Sequence, residues 1–152
     1  MEKSDKRTGK ILFGCYCLLM LWLLFGQRLS NTVFENYGDQ LRENYSLIPF
    51  HTISNYIRVL YKSSSAVLLR IVVINLVGNV VMLVPLGFFL PLNWQCFRGF
   101  WKCMGWIVLI IVGVELVQFV TLLGSLDVDD LILNAAGGAV GYGLWKAGQL
   151  CC

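Results

Sequence analysis

Residues 71–92 contain no charged side chain: the stretch is built from branched aliphatics, two phenylalanines, two prolines, two asparagines and little else. A run of that length matches a helix crossing the ~30 Å hydrocarbon layer of a bilayer and is too long for one buried strand. Once one segment is assigned to the membrane, the remaining apolar runs read the same way, at 11–26, 103–123 and 131–150. At 57% hydrophobic and 14% charged residues, the chain has too little polar surface for a soluble domain of this length. The expected class is therefore all-α integral membrane, one domain over 1–152. Four transmembrane helices are expected at about 10–27, 71–92, 103–123 and 130–150, with an outer loop at 28–70 that contains short amphipathic, interfacial helices.

Each run has its own character. The first resembles a signal-peptide core, but Gln27-Arg28-Leu29 is not a small-residue cleavage site. It reads as an uncleaved helix that carries no polar groups and serves as scaffold or anchor. Pro85 cannot donate a hydrogen bond to the Val81 carbonyl and is expected to kink the second span. The fourth run is the least apolar, and its glycines at 137, 138, 141, 143 and 148 suit close helix contact.

Charge sets the expected orientation. Lys3, Lys6, Arg7 and Lys10 precede the first run, and Arg98 and Lys102 lie between the second and third. Asp127, Asp129 and Asp130 occupy the turn between the third and fourth. The positive-inside rule then puts both termini in the cytoplasm and the acidic turn outside. In the outer loop, Phe34, Tyr37, Leu41 and Tyr45 recur at roughly helical spacing, as do Ile53, Tyr56, Ile57 and Leu60. Such segments suit the membrane interface or cover a helical bundle. The six cysteines all fall in spans or on the expected cytoplasmic side, so no structural disulfide is expected.

The informative residues are polar ones inside apolar runs. Asn75 and Asn79 are four apart, and Glu115 and Gln118 three apart, so each pair shares a helix face. Asp127, Asp130 and Asn134 continue the pattern into the fourth run. At ~1.5 Å per residue, Asn79 and Glu115 lie ~12 Å below the outer end of their helices. Asn75, Gln118 and Asn134 lie roughly 5–8 Å below it, and the two aspartates at the mouth. Three helices thus place polar groups in matching layers, which predicts one cavity open to the outside. An ionised carboxylate at depth costs at least about 2.5 kcal/mol, so a membrane glutamate is neutral, paired or functional. The competing structural account is hydrogen-bonded glue between helices, with Asp127 or Asp129 acting as a helix cap.

Other chemistries find no support. There is no zinc-spaced His/Cys set, no phosphate-binding glycine loop and no basic aromatic patch for nucleic acid. His51 is the single histidine. Oxygen ligands from Asp127, Asp130 and Glu115 suit a divalent cation, but nothing in the spacing requires one. No metal or cofactor is expected.

Several of these residues sit in blocks that resemble the VanZ-like family. The blocks are Leu47-Ile48-Pro49-Phe50, then Asn75-Leu76-Val77-Gly78-Asn79 leading to Pro85-Leu86-Gly87-Phe88, then Glu115-Leu116-Val117-Gln118. Asp127-Val128-Asp129-Asp130-Leu131-Ile132-Leu133-Asn134 and Gly137 complete the pattern, which extends over about 47–143. Some members carry an arginine just before the aspartates. Here that stretch is Leu123-Gly124-Ser125-Leu126, so no role resting on that arginine is carried over. The resemblance implies a multi-pass bacterial cell-membrane protein connected with resistance to the glycopeptide teicoplanin.

Together these readings lead to an expected site of Asn75, Asn79, Glu115, Gln118, Asp127, Asp130 and Asn134 that acts on a cell-envelope component at the outer leaflet. Three classes stay open. In an enzyme acting on a lipid-linked cell-wall precursor or glycan, Glu115 would be general acid or base, Asp127 and Asp130 would polarise substrate, and Arg58 or Arg70 would hold a phosphate. In a non-catalytic binder, the same residues would sequester a lipophilic ligand such as a lipoglycopeptide. A transporter would need an oligomer to make a pathway. Membrane lipids are expected partners in every case, and nucleic acid in none.

Overall fold

The computed structural model describes residues 2–26, 41, 45–62 and 65–150. Helix α1 (Glu2–Leu21) continues into a π-helical turn, Trp22–Gly26. A two-residue strand β1 (Tyr45–Ser46) and helix α2 (His51–Lys62) follow. Helix α3 (Ala66–Asn93) leads through a 3₁₀ turn, Gln95–Phe97, into α4 (Phe100–Val120). Strand β2 (Leu126–Asp127) then runs directly into α5 (Val128–Leu150).

Three segments are long and apolar enough to cross a membrane: Arg7–Gly26, Ala66–Asn93 and Phe100–Val120. Their outer faces carry large apolar side chains without protein cover, such as Leu18, Ile74, Val81 and Leu109. In water such patches would drive association; against lipid tails they are at home. Helix α5 is 23 residues long, ~35 Å at the α-helical rise, but more polar than these three.

The boundaries differ from the apolar runs for local reasons. α3 starts at Ala66 rather than at 71, because Arg70 interrupts hydropathy but not helical geometry. It also stays helical through Pro85 and Pro91. α4 runs from Phe100 to Val120 rather than 103–123. It closes in a Schellman-type end: Leu123 N–H donates to the Gln118 carbonyl at 2.9 Å and Leu122 N–H to that of Phe119 at 3.1 Å. Leu122 takes the left-handed position, φ 54°, that glycine usually fills. Of the outer loop's expected helical spacing, positions 34 and 37 lie outside the described residues and Tyr45 sits in β1. The second set, around Ile53 and Tyr56, falls on α2.

Helices α3 and α5 run parallel in close backbone contact. A Cβ on Gly137 would fall 2.0 Å from the Val80 carbonyl oxygen, and one on Gly141 2.0 Å from that of Val84. No L side chain fits there, so these glycines set the helix separation. The buried cluster of Leu83, Leu86, Leu90, Cys103, Ile107, Ile111, Tyr142 and Trp145 fills the space where α3, α4 and α5 meet. At one end of the bundle, Asn93 donates to the Gly9 carbonyl at 3.3 Å, and Tyr142 OH to that of Arg98 at 2.6 Å. These bonds tie α1 and α5 to the turn between α3 and α4. The polar groups gather at the opposite end.

Candidate functional site

The site is built first by the acidic turn. Asp127 precedes α5 and caps it: its Oδ1 accepts the Asp129 N–H at 2.9 Å. Its other oxygen accepts the Thr52 hydroxyl at 2.7 Å. Asp129 is fully buried and points to a different helix. It accepts the backbone N–H of Phe50 at 2.5 Å and of Ile53 at 2.9 Å, so it caps the start of α2. Parallel pairing of β1 with β2, Tyr45 against Leu126 and Ser46 against Asp127, brings the Pro49-Phe50 segment to these acids. Phe50 reaches its position with φ 64°.

Asp130, one residue on, faces the bundle interior, where its Oδ1 accepts the Asn79 amide of α3. Below them a cavity of about 440 Å³ opens, within the usual range for small-molecule sites. Asp127, Asp130, Ser125 and Tyr56 line it beside the acidic turn. Asn79, Glu115, Gln118 and Asn134 line its middle, and Asn75 also faces it. Its floor is apolar, with Phe13, Met82, Leu86 and Ile111. Glu115, Gln118 and Asn134 are all buried, and the Asn134 Oδ1 has no hydrogen-bond partner. A buried acceptor left in that state costs roughly 1–3 kcal/mol.

α1 proves to be more than the anchor expected from its apolar sequence. It forms one wall of the cavity, through Tyr16, Cys17, Met20 and Leu24 among others. Tyr16 OH donates to the Met82 carbonyl at 2.8 Å. Gln118 Nε2 donates to the Leu24 carbonyl at 3.1 Å. That carbonyl belongs to the π-helical turn, where the regular ladder is interrupted.

The seven polar residues expected to share a cavity thus all line one. Arg58 and Arg70 do not: both are exposed, on α2 and on the first turns of α3, and neither lines it. His51 is exposed on α2, 3.3 Å from the Asn55 amide. Among the described residues no three metal-ligating side chains group closely enough to hold an ion. Sequence reasoning passed over Tyr56, Thr52 and the role of Asp129. Tyr56 shares helical spacing with Ile53 and Leu60, which was the available clue. Burial, followed by the charges of Asp130 and Asp127, pushes the Tyr56 phenol above its ordinary pKa of 10.

The family model described as VanZ/LLP1 matches residues 13–150. Protein VanZ of Enterococcus faecium is 25% identical over 143 residues, covering 90% of this chain and 75% of that relative. No solved structure matches the chain.

Proposed function

Because the chain belongs to the VanZ/LLP1 family, we propose that it is a four-span protein of the bacterial cell membrane. In this reading it receives a cell-envelope component, or a lipophilic glycopeptide of the teicoplanin type, in its acidic cavity at the outer leaflet. Membrane character rests on the three apolar helices. The fourth span would be α5, shielded from lipid along the face that packs on α3. Both termini would be cytoplasmic. Support comes from Arg98 and Lys102, which share an end of the bundle with the N-terminal basic stretch, while the aspartates occupy the other end. α2 would lie in the interface beside the cavity mouth, with its exposed Ile57, Leu60 and Tyr61 against headgroups.

The observation that carries the proposal is the cavity itself. It joins an acidic, amide-rich end to an apolar end, and the buried Glu115, Gln118 and Asn134 lie along its lining. That division matches an amphipathic ligand. Three acids on one cavity also support a catalytic variant of the same reading, with Glu115 as acid or base and Asp127 and Asp130 holding the reacting group. Retained ligand affinity with lost protection in Glu115→Gln favours that variant; joint loss favours simple binding.

The test is a cysteine placed at Ser125 in an otherwise cysteine-free protein, in cells exposed to teicoplanin. An impermeant, bulky thiol reagent should label it on intact cells and remove protection. A thiol that reacts only after lysis, or labelling that leaves protection intact, contradicts the proposal.

A further inference from the structure

The helices around the cavity close it unequally. Among the described residues, α1 packs along α3 and has no comparable backbone approach to α4. Tyr16 OH bonds the Met82 carbonyl, and the Phe13 and Tyr16 rings lie 6.3 and 6.5 Å from that of Phe89. On α4 the lining includes Ile110, Val114 and Gln118, a stripe at four-residue spacing on one helix face. On α1 it includes Cys17 and Leu21, spaced alike. Leu21 is 56% exposed and Ile110 38%, although both line the cavity. Residues that do both sit where the cavity wall runs out into the lipid-facing surface, along a seam between α1 and α4. Gln118 Nε2 crosses that seam at its outer end, to the Leu24 carbonyl in the π-helical turn.

The depth of the cavity is as telling as its edge. Its lining reaches from Leu24 to Phe13 on α1 and from Asn75 to Leu86 on α3, ~16 Å along each helix. One leaflet of the hydrocarbon layer is ~15 Å deep. The cavity is thus as deep as the layer of chains beside it, and apolar towards the same end. The lips Leu21, Ile110 and Val114 are hydrocarbon, so a chain that crosses them meets no polar group. A water-borne amphipath would have to drag its tail past the acidic turn; a lipid already in the leaflet has its chain at the height of the seam. Resting on the reading of this cavity as the working site, we infer that the seam between α1 and α4 is a lateral portal. Through it one hydrocarbon chain of an outer-leaflet lipid enters the cavity, while the headgroup stays beside the acidic turn. Gln118 and the π-helical turn form the latch. A single interhelical hydrogen bond in a membrane is weak, so the latch opens without loss of the fold.

The experiment uses the full chain in phosphatidylcholine nanodiscs doped with a lipid that carries a diazirine near the end of one chain. Phosphatidylethanolamine and phosphatidylglycerol versions of that lipid are used in turn, and crosslinked residues are mapped by mass spectrometry. Leu86 and Ile111 are the reporters: both line the cavity and are buried, so chains in the surrounding leaflet do not reach them. Ile74, exposed on α3, reports the chains outside. At least one of the two lipids is expected to label both reporters. Leu21→Trp and Ile110→Trp narrow the seam from either side, and each should lower reporter labelling several-fold with Ile74 unchanged. Using two variants keeps the test decisive if one fails to fold. Gln118→Leu releases the latch and should speed reporter labelling about threefold, the factor that corresponds to an average interhelical bond. Val81 is exposed and does not line the cavity, so Val81→Trp should change nothing. Reporter labelling that survives both seam variants overturns the portal and leaves the cavity as the working site. Labelling of Ile74 alone overturns the lipid as ligand. If Glu115→Gln and Asp130→Asn then also keep full teicoplanin protection, the cavity reading falls with it.

Discussion

The Asp129 carboxylate on α5 accepts the backbone N–H of Ile53 on α2 at 2.9 Å, across 76 residues of chain. The same carboxylate takes the Phe50 N–H, so a fully buried acid of one helix closes the first turn of another. This contact fixes the start of α2, the helix that carries the cavity-lining Tyr56. Replacing Asp129 by Ala would leave two N–H groups without an acceptor. The expected loss is ~2–4 kcal/mol, from a missing cap and unsatisfied buried donors. Thermal unfolding in detergent should show it, together with faster amide exchange along α2 than along α3. Unchanged exchange in α2 would contradict the capping role.

Close approach of α3 and α5 makes a sharp contrast between glycines on one helix. Gly141→Ala places a methyl against the Val84 carbonyl and should destabilise by ~1–3 kcal/mol or more, since backbone must move. Gly143→Ala has open space around its Cβ and should be neutral or stabilising by up to ~1 kcal/mol. Unfolding of the two variants under the same detergent conditions separates them; equal effects would mean that the glycines do not set the helix separation.

Gln118 links α4 to the π-helical turn of α1. Gln118→Leu should cost ~1 kcal/mol, in the range of interhelical hydrogen bonds in membranes. Amide exchange in Trp22–Gly26 should rise while the α3–α5 contact remains protected. No change in that turn would show that it is held by packing alone.

The Tyr56 phenol has a pKa above 10, raised by burial and then by Asp130 and Asp127. The folded state thus keeps the proton more tightly than the unfolded state. The stability linked to this group is fully present below pH 10 and is lost as pH rises through the folded value. A difference titration of phenolate absorbance between the native chain and Tyr56→Phe should place the midpoint above 10. Asp130→Asn should bring it down. An unshifted midpoint would place Tyr56 away from the acids.

Sequence made the three long apolar helices legible because hydropathy over ~20 residues is a strong signal. Glu115, Gln118, Asn79 and Asn134 were also legible, since helical spacing alone puts them on inward faces. Helix ends were not. The apolar pair Leu122-Leu123 prolongs the third run, yet the chain turns left-handed at Leu122, and the glycine that would have marked the stop lies two residues later. Asp129 was legible as a cap but not as the cap of α2, because its partners are fixed by the pairing of β1 with β2. The contribution of α1 was hidden for another reason. Tyr16 and the Leu24 carbonyl act through groups that hydropathy does not register.

The central claim is that the acidic cavity does the work of this protein. It is tested most directly by teicoplanin susceptibility of a host that expresses Glu115→Gln and Asp130→Asn at matched membrane levels. Both exchanges keep size while removing the charge and replacing one acceptor oxygen by an NH2 donor. The account predicts that each lowers the inhibitory concentration towards that of cells lacking the protein. Full protection by both variants would contradict it.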